Sequence, residues 1–257
     1  MRLVTWNIRH GANSKRLNGI VEALQAHDVD IIVITEFRNK PDVPLEAMLR
    51  DRGWNWVSST NPPTGINGIL IASRFEMVDA GYDQLAPHPQ ERWIEVRFPN
   101  HGFSLSGVHI PGAGDKWDKR AYWRELIAIA KERVSENHIL IGDFNTGRKI
   151  DAEGVPFKYA EFIDDLEAQG WVDAFRAHYP DAREFTWYSS AGNGFRLDYA
   201  YVSPSLAPLL AAVRHSHDER LSKLSDHALL LLDLQEALTS GARSNSILTM
   251  GGLDFAP

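Results

Sequence analysis

The chain has 257 residues, 44% hydrophobic and 24% charged, with a formal net charge of −7 and no cysteine. That length and apolar share can fill one large core or two small ones, and the missing cysteines exclude disulfides and thiolate metal sites. The acidic balance argues against bulk electrostatic affinity for nucleic acid but leaves room for a local basic groove.

No run approaches the roughly 18 apolar residues of a membrane span. The sequence opens directly on a strand-like segment, so no secretory leader is expected. The expectation is a soluble, cytoplasmic chain.

In chain order, RLVTW (2–6) reads as a strand, and Leu17, Ile20, Val21 and Leu24 mark a helix over 16–27. DIIVIT (30–35), GILIAS (68–73), WIEVRF (93–98) and FSLSGVHI (103–110) are the next strands. A second helical period spans 116–135, with Trp117, Tyr122, Trp123, Leu126, Ile127, Ala130 and Val134 at the apolar positions. The strand HILIGD (138–143) follows, then a third helical period over 157–169 on Phe157, Tyr159, Phe162, Ile163 and Leu166. QGW (169–171) reads as a helix stop, Gly170 being free to turn left-handed. LDYAYVS (197–203) and HALLLLDL (227–234) complete the strands.

Several strands alternate apolar with polar residues. Others are continuous aliphatic runs, which suggests cover on at least one face. Strands and helices interleave without a linker-like composition before about residue 236. One α/β domain over 1–236 is therefore expected, with helices packed outside two sheets. The Gly/Ser-rich, aperiodic end of the chain predicts a flexible tail over 237–257. One core accounts for the apolar periods, so a monomer is expected.

The informative polar residues fall at strand ends. Asn7 follows LVTW, Glu36 follows IIVIT, His109 closes FSLSGVHI, and Asp143 and Asn145 end HILIGDFN. Asp198 lies inside RLDYAYV, and Asp226 and His227 open the last strand. Each alone reads as a turn former or a solvated group. Together, at the ends of different hydrophobic segments, they read as one site. Carboxylates and carboxamides are ligands for a hard cation, and a histidine oriented by a carboxylate handles protons or stabilises phosphoryl oxygens.

In order, TWNIRHG (5–11), ITEF (34–37), HIPG (109–112), IGDFN (141–145), FRLDYAYVS (195–203) and LSDHALL (224–230) resemble the motifs of the endonuclease/exonuclease/phosphatase superfamily. Its members include exonuclease III-like abasic-site endonucleases and DNase I-like enzymes. The resemblance spans about residues 2–234. It implies a four-layered α/β-sandwich, two face-to-face β-sheets flanked by helices. It further implies that Glu36 is the main ligand of one divalent cation, Mg²⁺ or Mn²⁺, with Asn7 beside it and Asp226 nearby. Asp143 would orient or deprotonate the attacking water, and Asn145 would hold a phosphate oxygen. His227, hydrogen-bonded to Asp198, would contact the scissile phosphate.

Three features depart from the abasic-site enzymes. His109 stands where they carry Tyr, with Gly112 where they carry Asn; a His109/His227 pair would supply one general acid and one electrostatic stabiliser. Arg9 replaces Asn or Asp, as a phosphate clamp or in place of a second metal. Trp187, Tyr188 and Phe195 stand where those enzymes line a sugar pocket, yet they also read as core or rim aromatics. Arg92 and Arg196 are either substrate contacts or structural arginines. Basic residues cluster at Arg9, His10, Lys15 and Arg16, at Lys116, Lys119 and Arg120, and at Arg148 and Lys149. They suit a phosphate backbone or a solvated helix face. The expected activity is a metal-dependent phosphodiesterase, foremost a DNA nuclease of the exonuclease III/abasic-site endonuclease type, with a small or lipid phosphoester as the alternative substrate.

Overall fold

Branched aliphatic residues, alternating which face they present, build two sheets in the computed structural model, which describes residues 1–40, 44–80 and 86–235. The predicted tail over 237–257 lies outside the described residues. The first half of the chain runs β1 (Arg2–Asn7), α1 (Ser14–Ala26), β2 (Ile31–Phe37), α2 (Leu45–Asp51), β3 (Trp56–Ser59) and β4 (Gly68–Ser73). Next come β5 (Val78–Asp79), β6 (Trp93–Phe98), β7 (Phe103–His109), α3 (Lys119–Arg133) and β8 (His138–Asp143). The remainder is α4 (Glu161–Ala168), β9 (Val172–Asp173), α5 (Ala174–His178), β10 (Trp187–Tyr188), β11 (Gly194–Phe195), β12 (Asp198–Val202), β13 (Leu210–Ser216), α6 (Asp218–Leu221) and β14 (Leu229–Leu234).

One sheet has the order β13-β14-β1-β2-β4-β3 and the other β5-β6-β7-β8-β12-β9, with β10 and β11 forming a separate small ribbon. Each large sheet holds one parallel pair, β1 with β2 and β7 with β8. Leu3, Ile31, Val33 and Ile69 of the first sheet meet Val96, Leu105, Ile139 and Ile141 of the second in a common core. The opposite faces are covered as well. Val4, Trp6, Ile32 and Ile34 pack with Leu17, Ile20, Val21 and Leu24 of α1. Val108, Leu140, Tyr199 and Tyr201 pack with Tyr122, Trp123 and Leu126 of α3 and with Ile163 and Leu166 of α4. Both faces of the central strands are thus dry, which is why their sequences run apolar without alternation. The result is the expected sandwich of four layers.

Caps set the helix starts. The Asn13 side chain accepts from the Arg16 amide at α1, and Asp118 accepts from the Arg120 and Ala121 amides at α3. Gly170 takes φ +104 just past α4. The third helical period is shorter than the apolar spacing implies. Helix α4 begins at Glu161, because Tyr159 sits at φ +69, where a right-handed helix cannot continue. β3 and β13 escape sequence reading because they lie at sheet edges and bury few side chains. Among the described residues no helix is long and apolar enough to cross a membrane.

Candidate active site

The central strands of the two sheets bring their polar tips to one cleft. His109 at the end of β7 and Asp198 at the start of β12 both pair in register with Asp143 on β8. In-register neighbours share a face, so the three form a row. Close packing at Gly142 permits this: a Cβ there would lie 1.9 Å from the Val108 carbonyl oxygen. Asn7 ends β1, and Glu36 sits where the β2–β4 register shifts, with φ +55. Such a bulge re-aims one side chain at the cost of local strain. Here it turns Glu36 into the cleft.

Hydrogen bonds fix the row. The Asn7 amide nitrogen donates to Asp143 Oδ2 at 3.0 Å, and the Asn145 backbone N–H donates to Asp143 Oδ1 at 2.9 Å. His227 Nδ1 lies 2.9 Å from Asp198 Oδ2. The His227 carbonyl accepts from Trp6 Nε1 at 3.1 Å, which pins the segment ahead of β14. Asn145 spends one side-chain N–H on the Ile110 carbonyl at 2.9 Å, leaving its other N–H for a ligand. The backbone N–H of His10 donates to Glu36 Oε2 at 2.8 Å.

Electrostatics separate the titratable groups. Burial, then the neighbouring Asp198 charge, pushes the Asp143 carboxyl up to about 7, against the opposing pull of His227. For His227, burial favours the neutral ring, but the Asp198 charge and hydrogen bond, with Asp143 and Asp226, outweigh it and raise the ring to about 10. His109 moves the other way, well below the ordinary imidazole range, through burial and the nearby Arg92 guanidinium. Its Nδ1 is buried without a hydrogen-bond partner among the described residues. Of the pair suggested by the sequence, His227 is the cation and His109 the neutral ring.

A cleft of about 860 Å³ collects Glu36, Asp143, Asn145, Asp226, His227 and His109. Potential ligand atoms of Asp143, Asp198 and His227 lie within 4.8 Å of one another. A cation among those three would compete with the proton held between His227 and Asp198. The carboxylates of Glu36 and Asp226 also face the cleft, and carboxylate oxygens are ligands that suit a hard divalent cation.

The remaining sequence candidates divide. Arg9, Arg92, Trp187 and Phe195 line the cleft; Tyr188 and Arg196 do not. Arg9 Nε stands 3.9 Å from Asp226. Arg92 is clamped by both oxygens of Asp115 at 2.8 and 3.0 Å. Arg196 is 1% exposed and bonded to Asp151 and Asp173, so it is a buried structural arginine rather than a substrate contact. Tyr188 is an exposed rim residue under the Arg220 guanidinium. Two lining features escaped sequence reading. Lys119 hydrogen-bonds the Asn145 carbonyl, and burial lowers its ammonium to about 8; in the sequence it was one of a basic cluster. Phe157 and Tyr159 were read as helix positions, and only their loop places them in the cleft.

The profile of the Endonuclease/Exonuclease/phosphatase family matches residues 4–227. The chain belongs to that family. Among curated relatives, an exodeoxyribonuclease of Bacillus subtilis (strain 168) is 28% identical over 232 residues, 80% of this chain and 89% of the relative. Among solved structures, an AP endonuclease from Archaeoglobus fulgidus aligns with TM-score 0.79 at 21% identity, covering 91% of this chain and 99% of that one. The 3′ phosphatase NExo from Neisseria, bound to product DNA hairpin, aligns with TM-score 0.78 at 23% identity over the same shares. These structures establish the shared family fold, two mixed sheets flanked by helices.

Proposed function

We propose that this member of the endonuclease/exonuclease/phosphatase family is a divalent-metal-dependent phosphodiester hydrolase acting on DNA, a nuclease of the exonuclease III type. The observation that carries the reading is the row at the strand tips. A carboxyl poised near neutrality, Asp143, stands beside an imidazolium, His227, that Asp198 keeps protonated. Curated and structural relatives that act on DNA support the same substrate class.

Asp143, in its ionised form, takes a proton from water as the water oxygen attacks phosphorus. Asn7 and the Asn145 amide hold its two oxygens, so the carboxylate does not have to reorganise. His227 donates to a non-bridging phosphate oxygen or lends its proton to the leaving oxygen; neutral His109 has one ring N–H to offer a phosphate oxygen. Trp187 and Phe195 wall the cleft and offer an apolar surface to a sugar or a base. Glu36, Asn7 and Asp226 would hold Mg²⁺ or Mn²⁺, which when bound offsets the charge developing on the phosphoryl oxygens.

The test is hydrolysis by purified protein, with Mg²⁺ and then EDTA, of three substrates. These are abasic duplex DNA, duplex DNA with a recessed 3′ end, and bis-p-nitrophenyl phosphate. EDTA-sensitive cleavage of either DNA is expected; cleavage of the small diester alone would overturn the DNA assignment in favour of a small phosphoester.

A further inference from the structure

The connection from β8 to α4 carries an apolar crest at the cleft rim. Val155 is 74% exposed, and it lines the cleft together with Pro156, Phe157, Lys158 and Tyr159. A single exposed valine needs no explanation. This one is presented by a loop whose two flanks are fastened. The Glu153 N–H donates to the Gly194 carbonyl at 2.9 Å, and the Glu153 carboxylate accepts from the Gly194 N–H at 2.8 Å. Ala152 bridges Phe195, and the Phe157 ring stands edge-on to Phe195 at 5.5 Å. Beneath it the packing is close, since a Cβ at Gly147 would lie 2.8 Å from the Phe157 ring.

Left-handed backbone at Gly154 (φ +77) and Tyr159 (φ +69) turns the chain at both ends of the crest. The Arg120 guanidinium caps the Tyr159 ring at 4.9 Å. The crest is therefore held at both flanks and continuous with the aromatic wall of the catalytic cleft. Cations flank it, with Lys158 on the loop and Lys119 and Arg120 across from it. An apolar face bordered by positive charge complements a base pair, whose flat apolar face is bordered by phosphates. A small phosphoester has no surface of that extent to offer.

We propose that Val155 and Pro156 form a wedge that packs against the terminal base pair of duplex DNA and parts it, so that the strand entering the cleft is unpaired when it reaches Asp143. The proposal rests on the DNA-nuclease reading and adds the residues that open a paired end.

The experiment uses the full chain in EDTA at saturating protein, with a duplex carrying 2-aminopurine at its recessed 3′ terminus. Wild-type protein should raise the fluorescence several-fold as the base unstacks. Val155→Ser and Pro156→Gly, both at exposed positions, should leave it near the value of free duplex. With Mg²⁺ restored, Val155→Ser should slow cleavage of the paired end about tenfold. It should leave the single strand of the same sequence, and bis-p-nitrophenyl phosphate, at wild-type rates. Equal fluorescence in variant and wild type, or equal slowing on single and paired strands, would overturn the wedge. If wild-type protein cleaves no DNA, the nuclease reading fails first and the wedge with it.

Discussion

Asp143 and His227 divide the proton chemistry because their surroundings oppose each other. Asp143→Asn removes the proton acceptor and keeps only one of the two hydrogen bonds from Asn7 and the Asn145 amide, so kcat on a recessed 3′ end should fall by about 10² to 10⁴-fold with the fold intact. Asp198→Asn takes away the charge that holds the His227 proton. Its kcat at neutral pH should fall by about 10²-fold while KM changes little, a split that steady-state kinetics resolves. Arg196 belongs to stability instead. Replacing it by Met leaves the Asp173 carboxylate only its two backbone amide donors and weakens Asp151, with an expected cost of about 3 kcal/mol in urea unfolding. The sequence offered Arg196 and Arg92 on equal terms, because no pattern along the chain distinguishes an arginine beside two buried carboxylates from one beside a ligand.

At the scale of elements, the site depends on strand tips meeting in register. Gly142 shows how tightly: any side chain there collides with the backbone of β7. Gly142→Ala should part β7 from β8 and displace Asp143. The expected loss is about 3 kcal/mol in stability, with most of the activity, read by thermal melting alongside DNA cleavage. The main strands and helices were legible because central strands buried on both faces leave unbroken aliphatic runs. Edge strands β3 and β13 were not, since few of their residues face a core. The third helical period misled in an instructive way. Phe157 and Tyr159 are apolar at helical spacing because they line the cleft, not because they pack a helix.

Over the whole molecule, buried histidines tie stability to pH. His138 lies inside the fold, its Nε2 2.8 Å from Ser106 Oγ, and burial, helped by Arg133, lowers the ring to about 3. The unfolded ring titrates near 6.5, so between those values the unfolded chain binds one more proton than the native one. This contribution is fully present above pH 6.5 and is lost as pH falls towards 3. His138→Gln should flatten the stability profile between pH 4 and 6 by about 1.4 kcal/mol per pH unit, measured by urea unfolding at each pH. His227, raised instead to about 10, contributes at low pH and loses its contribution as pH climbs through that value.

The sequence by itself determined two sheets with helices outside them and the polar residues at their strand tips, because apolar periodicity and the abrupt ends of hydrophobic runs are properties of the chain. It also carried the family motifs from Asn7 to His227. Only the tertiary structure decided which imidazole carries charge, that Arg196 is structural, and that residues 155–159 crest the cleft. Each of those depends on partners far away in the chain: Asp198 beside His227, Asp173 beside Arg196, and Gly194 beside Glu153. Burial and charge act through space, and no spacing along the sequence encodes them.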